Sequence, residues 1–158
     1  MALPPISPTS YLEDIEWKDS LLRILEKDSR YDAHAYIFMN NAVSYTVNKL
    51  SKQGRPLGTR HVSGAQLIQG MLEYAVSTYT FLAPDMLRYW NLLSGRDAGN
   101  IVYNLIEECV LSAGPNDRIE DFDCVPYLLY VTQEIVRRSF GSRPEPASGP
   151  GPLPVIDA

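Results

Sequence analysis

Cysteine and histidine are scarce in this chain, with two of each among 158 residues. The cysteines, Cys109 and Cys124, are too few for a disulfide framework or a four-ligand zinc site, so reduced thiols are expected. No uninterrupted apolar stretch approaches the roughly 18 to 20 residues that span a bilayer, and residues 1–10 have neither the basic head nor the apolar core of a signal peptide. We therefore expect a cytoplasmic protein with no membrane insertion, no metal and no cofactor.

Charged residues make up only 21% of the chain, and the net charge is −5. An acidic total argues against a protein that coats nucleic acid by bulk attraction, although the distribution of charge matters more than its sum. The segment from Lys49 to His61 is basic with no acidic residue, whereas the segment from Glu107 to Asp123 is acidic apart from Arg118. The sequence therefore predicts a basic end and an acidic end.

Hydrophobic residues are plentiful at 45%, which at this length predicts one globular domain with a real core. Prolines concentrate toward the two ends of the sequence. We expect a flexible arm over residues 1–9, a single helical domain over 10–140 and a disordered tail rich in proline and glycine over 141–158. The tail is either a solvated end or a ligand for a proline-recognising groove, because proline-rich segments lose little entropy on binding as polyproline II.

The apolar residues between these ends repeat mostly at helical spacing. Asp32 is a suitable N-cap for a helix that continues to Leu50. Ser63 and Gln66 form a capping box, in which each side chain accepts a backbone N–H from the other residue, and this box predicts the start of a second long helix.

Three further helices and one short helix are predicted around these two. The short helix starts at Pro84 and is closed by Gly95 in the left-handed conformation, and Asp97 then caps the next helix. Upstream and downstream, apolar periodicity predicts helices over Tyr11 to Lys27 and over Pro126 to Phe140.

Two short segments break the helical pattern. Thr59 to Val62 is a candidate strand, and Arg118 to Val125 alternates imperfectly, as a short exposed strand or a loop does. The predicted fold is thus mostly α, a compact bundle of five or six helices with a minor short β element. A winged-helix-like core is the alternative, in which the two segments pair beside helices 65–82 and 98–111.

Five strings follow one another along the middle of the chain: Asp32-Ala33-His34-Ala35-Tyr36, Tyr45-Thr46-Val47-Asn48-Lys49-Leu50, Arg60-His61-Val62-Ser63-Gly64, Ile101-Val102-Tyr103-Asn104-Leu105-Ile106-Glu107 and Glu120-Asp121-Phe122. In this order the chain resembles a small uncharacterised protein family of planctomycete- and verrucomicrobia-type bacteria, over about Leu21 to Asp123. The resemblance implies a bacterial cytoplasmic protein and brings no activity, cofactor or partner with it. The chain departs from that family at Asn91, where a glycine is usual, and at Cys109 and Val110, which replace a small Ala-Gly pair.

Six residues around the entry to the Ser63 helix form the candidate binding site for an anion or a partner: Lys49, Lys52, Arg55, Arg60, His61 and Ser63. A helix N-terminus offers free amides and the positive end of the helix dipole to an anion. The nearby glycines do not complete a phosphate-binding loop, and neither His61 nor His34 has an acid or a nucleophile at a catalytic spacing. The alternative for this segment is a purely structural helix cap.

Ten tyrosines are more than usual for this length. Five of them fall beside the apolar stripes, where a ring edge is buried and the hydroxyl stays wet, as interfaces favour: Tyr36, Tyr45, Tyr74, Tyr89 and Tyr103. Because no cluster of catalytic residues is evident, we predict a non-enzymatic protein-interaction module whose partner is another protein. An RNA- or DNA-binding module that uses the basic segment 49–61 is the alternative, and an unrecognised hydrolase is the third possibility.

Overall fold

The computed structural model describes residues 11–54 and 61–142. This part of the chain folds into six α-helices and two 3₁₀ turns: α1 Tyr11–Lys27, α2 Ala33–Lys52, α3 Gly64–Tyr79, a turn at Thr80–Leu82, α4 Ala83–Tyr89, α5 Gly95–Glu107, a turn at Ile119–Phe122, and α6 Leu128–Phe140. The predicted class, a mostly α bundle of five or six helices, is confirmed. The predicted arm over 1–9, and the predicted tail from residue 143 on, lie outside the described residues. In the part that is described, no helix has both the length and the apolar character needed to cross a bilayer.

The two central helices begin where the sequence predicted. Asp32 caps α2 by accepting the backbone N–H of His34 at 2.8 Å. At the start of α3, the backbone N–H of Ser63 donates to the side chain of Gln66, and the N–H of Gln66 donates to the Ser63 hydroxyl. Both caps satisfy amides that an isolated helix end leaves without partners, so local chemistry sets these two boundaries.

α2 and α3 pack against each other through the centre of the bundle. Val43 on α2 and Met71 on α3 are fully buried in the core. The helices come so close at Gly70 that a β-carbon there would lie 1.9 Å from the hydroxyl oxygen of Thr46. The absence of a side chain at Gly70 is therefore what permits this crossing.

The end of α4 differs from the prediction. Asn91, rather than Gly95, takes the left-handed conformation, with φ 61°. The N–H of Leu92 then bonds the carbonyl of Leu87 at 2.9 Å, which is the hydrogen-bond pattern of a helix closed by a left-handed residue. The prediction for Gly95 was wrong because asparagine also tolerates this conformation and occurs four residues earlier.

The start of α5 is also earlier than predicted. Ser94 is the N-cap, and Asp97 is the other half of a capping box, accepting the N–H of Ser94 at 2.8 Å. The carboxylate of Asp97 further accepts the hydroxyl of Tyr31 at 2.8 Å. Asp97 was therefore correctly placed at the helix start but assigned the wrong position in it, because both residues of a capping box are of types that favour N-caps.

The segment from Arg118 to Val125 is not a strand. Its centre, Ile119–Phe122, is a 3₁₀ turn that packs on α3 and α5, and the side chain of Phe122 is only 2% exposed. The winged-helix alternative needed this segment to pair as a strand with Thr59 to Val62, of which Thr59 and Arg60 lie outside the described residues. The helical backbone of the turn does not supply that strand, and the described ranges contain no strand.

Two glycines at the starts of α5 and α3, Gly95 and Gly64, lie in close contact with this turn. A β-carbon at Gly95 would lie 1.9 Å from the carbonyl oxygen of Phe122, and one at Gly64 would lie 2.9 Å from the β-carbon of Asp121. The N–H of Gly95 donates to the carbonyl of Val125 at 2.7 Å. The starts of α3 and α5 thus hold the turn by direct backbone contact.

α1 packs Trp17, Leu21, Ile24 and Leu25 on the core, and polar contacts of α1 and of the segment after it add to this packing. Arg23 pairs with Glu108 at 2.7 Å, and the amide of Asn104 donates to Asp28 at 2.9 Å. The guanidinium of Arg30, which bonds the same carboxylate, holds the pKa of Asp28 well below its usual range. Ile24 is the residue of α1 that is most deeply buried in the core.

α6 begins at Leu128, two residues after the predicted Pro126, and presents Leu128, Thr132 and Val136 to the core. Its last residue, Phe140, packs against Phe81 with ring centroids 5.5 Å apart. The chain therefore leaves α6 beside the 3₁₀ turn that follows α3.

Candidate functional site

A groove of about 310 Å³ opens on the surface between α2, α3 and α4. Its lining is mainly aromatic and aliphatic, with two polar side chains from α2: His34, Ile37, Phe38, Asn41, Tyr74, Tyr79, Met86, Tyr89 and Trp90. Its volume is at the lower end of the range for small-molecule and peptide pockets in proteins. We call this site the aromatic groove.

The floor of the aromatic groove is a set of packed rings. The centroid of Phe38 lies 4.9 Å from that of Trp90 and 5.5 Å from that of Tyr74, whose ring is stacked on it. Tyr79 meets Trp90 edge to face, with centroids 5.6 Å apart and an interplanar angle of 76°. Offset and edge-to-face pairs at these distances attract each other, so the floor is shaped before any ligand binds.

One face of α2 forms a wall of the groove. His34, Ile37, Phe38 and Asn41 recur at the three- and four-residue spacing that places side chains on a common helix face. Phe38 is 3% exposed, whereas Ile37 is 39% exposed at the rim. The same face thus continues from the core into the groove.

The opposite wall comes from the end of α4. Trp90 is 3% exposed and belongs to the floor, while the neighbouring Tyr89 is 73% exposed at the rim. Asn91 fixes this end of the helix, because its amide donates to the backbone carbonyl of Arg30 at 2.9 Å. The left-handed turn at Asn91 therefore serves to hold both aromatic residues in place.

The aromatic groove carries little charge. No lysine, arginine, aspartate or glutamate lines it, and His34 is paired with Asp32 through Nδ1 and Oδ1 at 2.8 Å. Burial, together with the neighbouring Tyr74, raises the pKa of Tyr79 above its ordinary value. The groove is therefore suited to an uncharged, largely apolar ligand that also offers hydrogen-bond acceptors.

The cations of the predicted basic site are not gathered into one surface by the described residues. Lys49, in the last turn of α2, forms an ion pair with Glu73 of α3. Lys52 is exposed at the end of α2, and Arg55 and Arg60 lie outside the described residues. Of the two lysines of the predicted basic site, Lys49 thus already has a carboxylate partner.

His61 and Ser63 have clear partners. Nε2 of His61 lies 3.0 Å from a carboxylate oxygen of Asp117, which also accepts the N–H of Gly114 at 2.7 Å. The sequence did not reveal this acid because it lies fifty-six residues away along the chain. Ser63 forms the capping box described above, so the predicted cap is confirmed, while anion binding there stays a prediction.

Ser63→Ala is expected to lower the free energy of unfolding by about 1 kcal/mol, because the N–H of Gln66 loses its capping hydroxyl. Urea denaturation followed by circular dichroism measures the change. The matched control is Ser139→Ala, at an exposed position of α6, which should shift stability by less than about 0.5 kcal/mol. Equal effects of the two substitutions would contradict the capping role.

The tyrosines divide between core and surface. Tyr36, predicted to lie beside the apolar stripe, is fully buried, and its hydroxyl accepts the amide of Asn104 at 3.0 Å. Tyr74 and Tyr89 line the aromatic groove, and Tyr45 packs on Tyr74 with centroids 5.5 Å apart. The prediction for Tyr36 was wrong because the partly buried amide of Asn104 supplies the polar contact that water was expected to give.

No protein-family model, curated protein or solved structure matches this chain. The resemblance to a planctomycete- and verrucomicrobia-type family stays a prediction. The geometry of the aromatic groove is therefore the main evidence on function.

Proposed function

We propose that this chain is a non-enzymatic protein-interaction module and that the aromatic groove is its binding site. The exposure of Tyr89, 73% at the rim of a floor made of Trp90 and Phe38, is the observation that carries the proposal. Exposed apolar surface that is continuous with a concave site is uncommon unless something binds there. Tyrosine and tryptophan are also the residues that contribute most to binding energy at protein interfaces.

The lining supports a polypeptide ligand over a nucleic acid. Nucleic acids are held mainly by lysine and arginine contacts to phosphates, and the lining has neither residue. A nucleic-acid interface over segment 49–61 remains the alternative prediction, although Lys49 is paired with Glu73.

The lining also supports binding over catalysis. It offers ring faces, tyrosine hydroxyls and the Asn41 amide, and its only imidazole, that of His34, is 73% exposed. A general base usually needs a reacting group within hydrogen-bond reach and a pKa tuned by its surroundings. Surface area and hydrogen-bonding groups are what this groove supplies.

Tyr89→Ala is expected to weaken partner binding at least tenfold, because it removes the most exposed ring of the groove. The matched control is Tyr127→Ala, since Tyr127 is 74% exposed and does not line the groove. Affinity capture from a nuclease-treated lysate, with quantitative mass spectrometry, compares the two variants with the unmodified chain. Thermal melting should show both variants as folded as the unmodified chain.

The same protein set recovered with Tyr89→Ala as with Tyr127→Ala would contradict the proposal. Salt provides an independent check on the kind of ligand. In a lysate without nuclease, recovery that changes little between about 50 and 200 mM salt indicates an apolar contact. A steep loss of recovery with salt, together with no recovery after nuclease treatment, indicates phosphate contacts and the alternative function.

A further inference from the structure

The end of α6 lies close to the aromatic groove. Phe140 packs on Phe81, which is two residues along the chain from Tyr79 in the groove lining. Two residues separate Cα atoms by at most about 7 Å. Gly141 follows with φ 82°, a conformation that ends the helix, so the chain leaves the bundle next to the groove.

The chain that follows is long enough to enter the groove. Residues 143–158 add sixteen positions to the described Gly141 and Ser142. A polyproline II segment advances about 3.1 Å per residue, so twelve residues extend about 37 Å. The reach of the segment therefore exceeds the distance from Phe140 to the groove lining.

The composition of that segment matches the groove. Prolines stand at five of its positions: Pro144, Pro146, Pro150, Pro152 and Pro154. Proline-rich segments in polyproline II conformation dock in grooves lined by aromatic rings, and their preset backbone loses little entropy on binding. Their exposed carbonyls are acceptors for hydroxyl and amide donors such as those of Tyr89 and Asn41.

The lack of charge in most of this segment also matches the lack of charge in the groove. From Pro146 to Ile156 the segment has no ionisable side chain, and the groove lining has none apart from His34 and the neutral tyrosines. A charged ligand would lose hydration in the groove without gaining an opposite charge. An uncharged, proline-rich ligand avoids the cost of desolvating a charge.

We propose that the aromatic groove binds the chain's own segment 143–158 in polyproline II conformation. The proposal rests on the groove being a polypeptide-binding site. A short flexible connection gives an effective concentration in the millimolar range, so even weak intrinsic affinity leaves the groove largely occupied. An outside partner then has to displace this segment before it can bind.

The test uses the full chain and a synthetic peptide of residues 143–158. In the variant Pro150→Ala, Pro152→Ala, Pro154→Ala, the Trp90 indole signal in an NMR spectrum should shift relative to the unmodified chain, because the groove opens. The added peptide should bind this variant at least tenfold more tightly than it binds the unmodified chain. The matched control, Pro4→Ala, Pro5→Ala, Pro8→Ala, changes three prolines at the other end and should leave both the indole signal and peptide affinity unchanged.

Any of the following three results would overturn the proposal. An unchanged indole signal in the first variant, or equal peptide affinity for both chains, shows that segment 143–158 does not occupy the groove. A signal that varies with protein concentration shows that a second copy, and not the same chain, supplies the ligand. A different result would contradict the proposed function, namely that Tyr89→Ala leaves partner capture unchanged. The two proposals can therefore be overturned separately.

Discussion

Gly95→Ala is expected to lower the free energy of unfolding by at least about 3 kcal/mol. The added β-carbon would lie 1.9 Å from the carbonyl oxygen of Phe122 and 3.0 Å from that of Val125. Both neighbours are backbone atoms of the segment Arg118 to Val125, which is anchored by the buried Phe122 side chain, so neither can move aside cheaply. Urea denaturation, followed by circular dichroism, gives the difference in stability.

Gly99→Ala is the matched control, because it makes the same substitution one turn later in α5. The closest atoms there, at 3.1 Å, belong to the side chains of Ile119 and Phe122. Small side-chain shifts, together with the better helix propensity of alanine, should keep the loss below about 1 kcal/mol. If Gly95→Ala were as stable as Gly99→Ala, the 3₁₀ turn would not rest on Gly95 as the structure shows.

Met71→Asp is expected to abolish folding at neutral pH. Met71 of α3 is fully buried in the core, where a carboxylate would have to be desolvated or protonated. The expected cost is of the same order as the whole stability of a domain, about 5 to 15 kcal/mol. Loss of the helical circular dichroism signal and of a sharp melting transition are the measurements.

Ala65→Asp, at an exposed position in the first turn of the same helix, is the control and should leave the fold intact. A negative charge there is favoured by the helix dipole. Leu105→Asp provides a second test of a buried position, because Leu105 of α5 is fully buried. Cooperative melting of either buried variant near that of Ala65→Asp would contradict the assigned core.

The helices could be predicted from the sequence because their signals are local. The caps at Asp32 and Ser63 and the helical spacing of the apolar residues depend on residues within a few positions of one another. The 3₁₀ turn at Ile119–Phe122 could not be predicted, since its conformation depends on glycines of two other helices. Asp97 is an intermediate case. The sequence correctly predicted that Asp97 takes part in capping the helix, but the N-cap residue is Ser94 and not Asp97.

The basic segment 49–61 was predicted as a binding site because a run of like charges is visible in a linear sequence. The aromatic groove is assembled from three helices, and its two deepest rings, Phe38 and Trp90, have the spacing of ordinary core residues. The tyrosine count and the position of Tyr89 beside the apolar stripe were the only available signals. They favoured an interface but could not locate it, because the distance between Phe38 and Trp90 is a tertiary property.

The attachment of α1 has a consequence for cooperativity. This helix packs Trp17, Leu21, Ile24 and Leu25 on the core, and the ion pairs of Arg23 with Glu108 and of Lys27 with Glu107 are added to these apolar contacts. Exposed ion pairs contribute little and are screened by salt, whereas apolar contacts are not. Loss of the ion pairs at high ionic strength therefore leaves the apolar contacts in place, and α1 is expected to unfold together with the remaining helices.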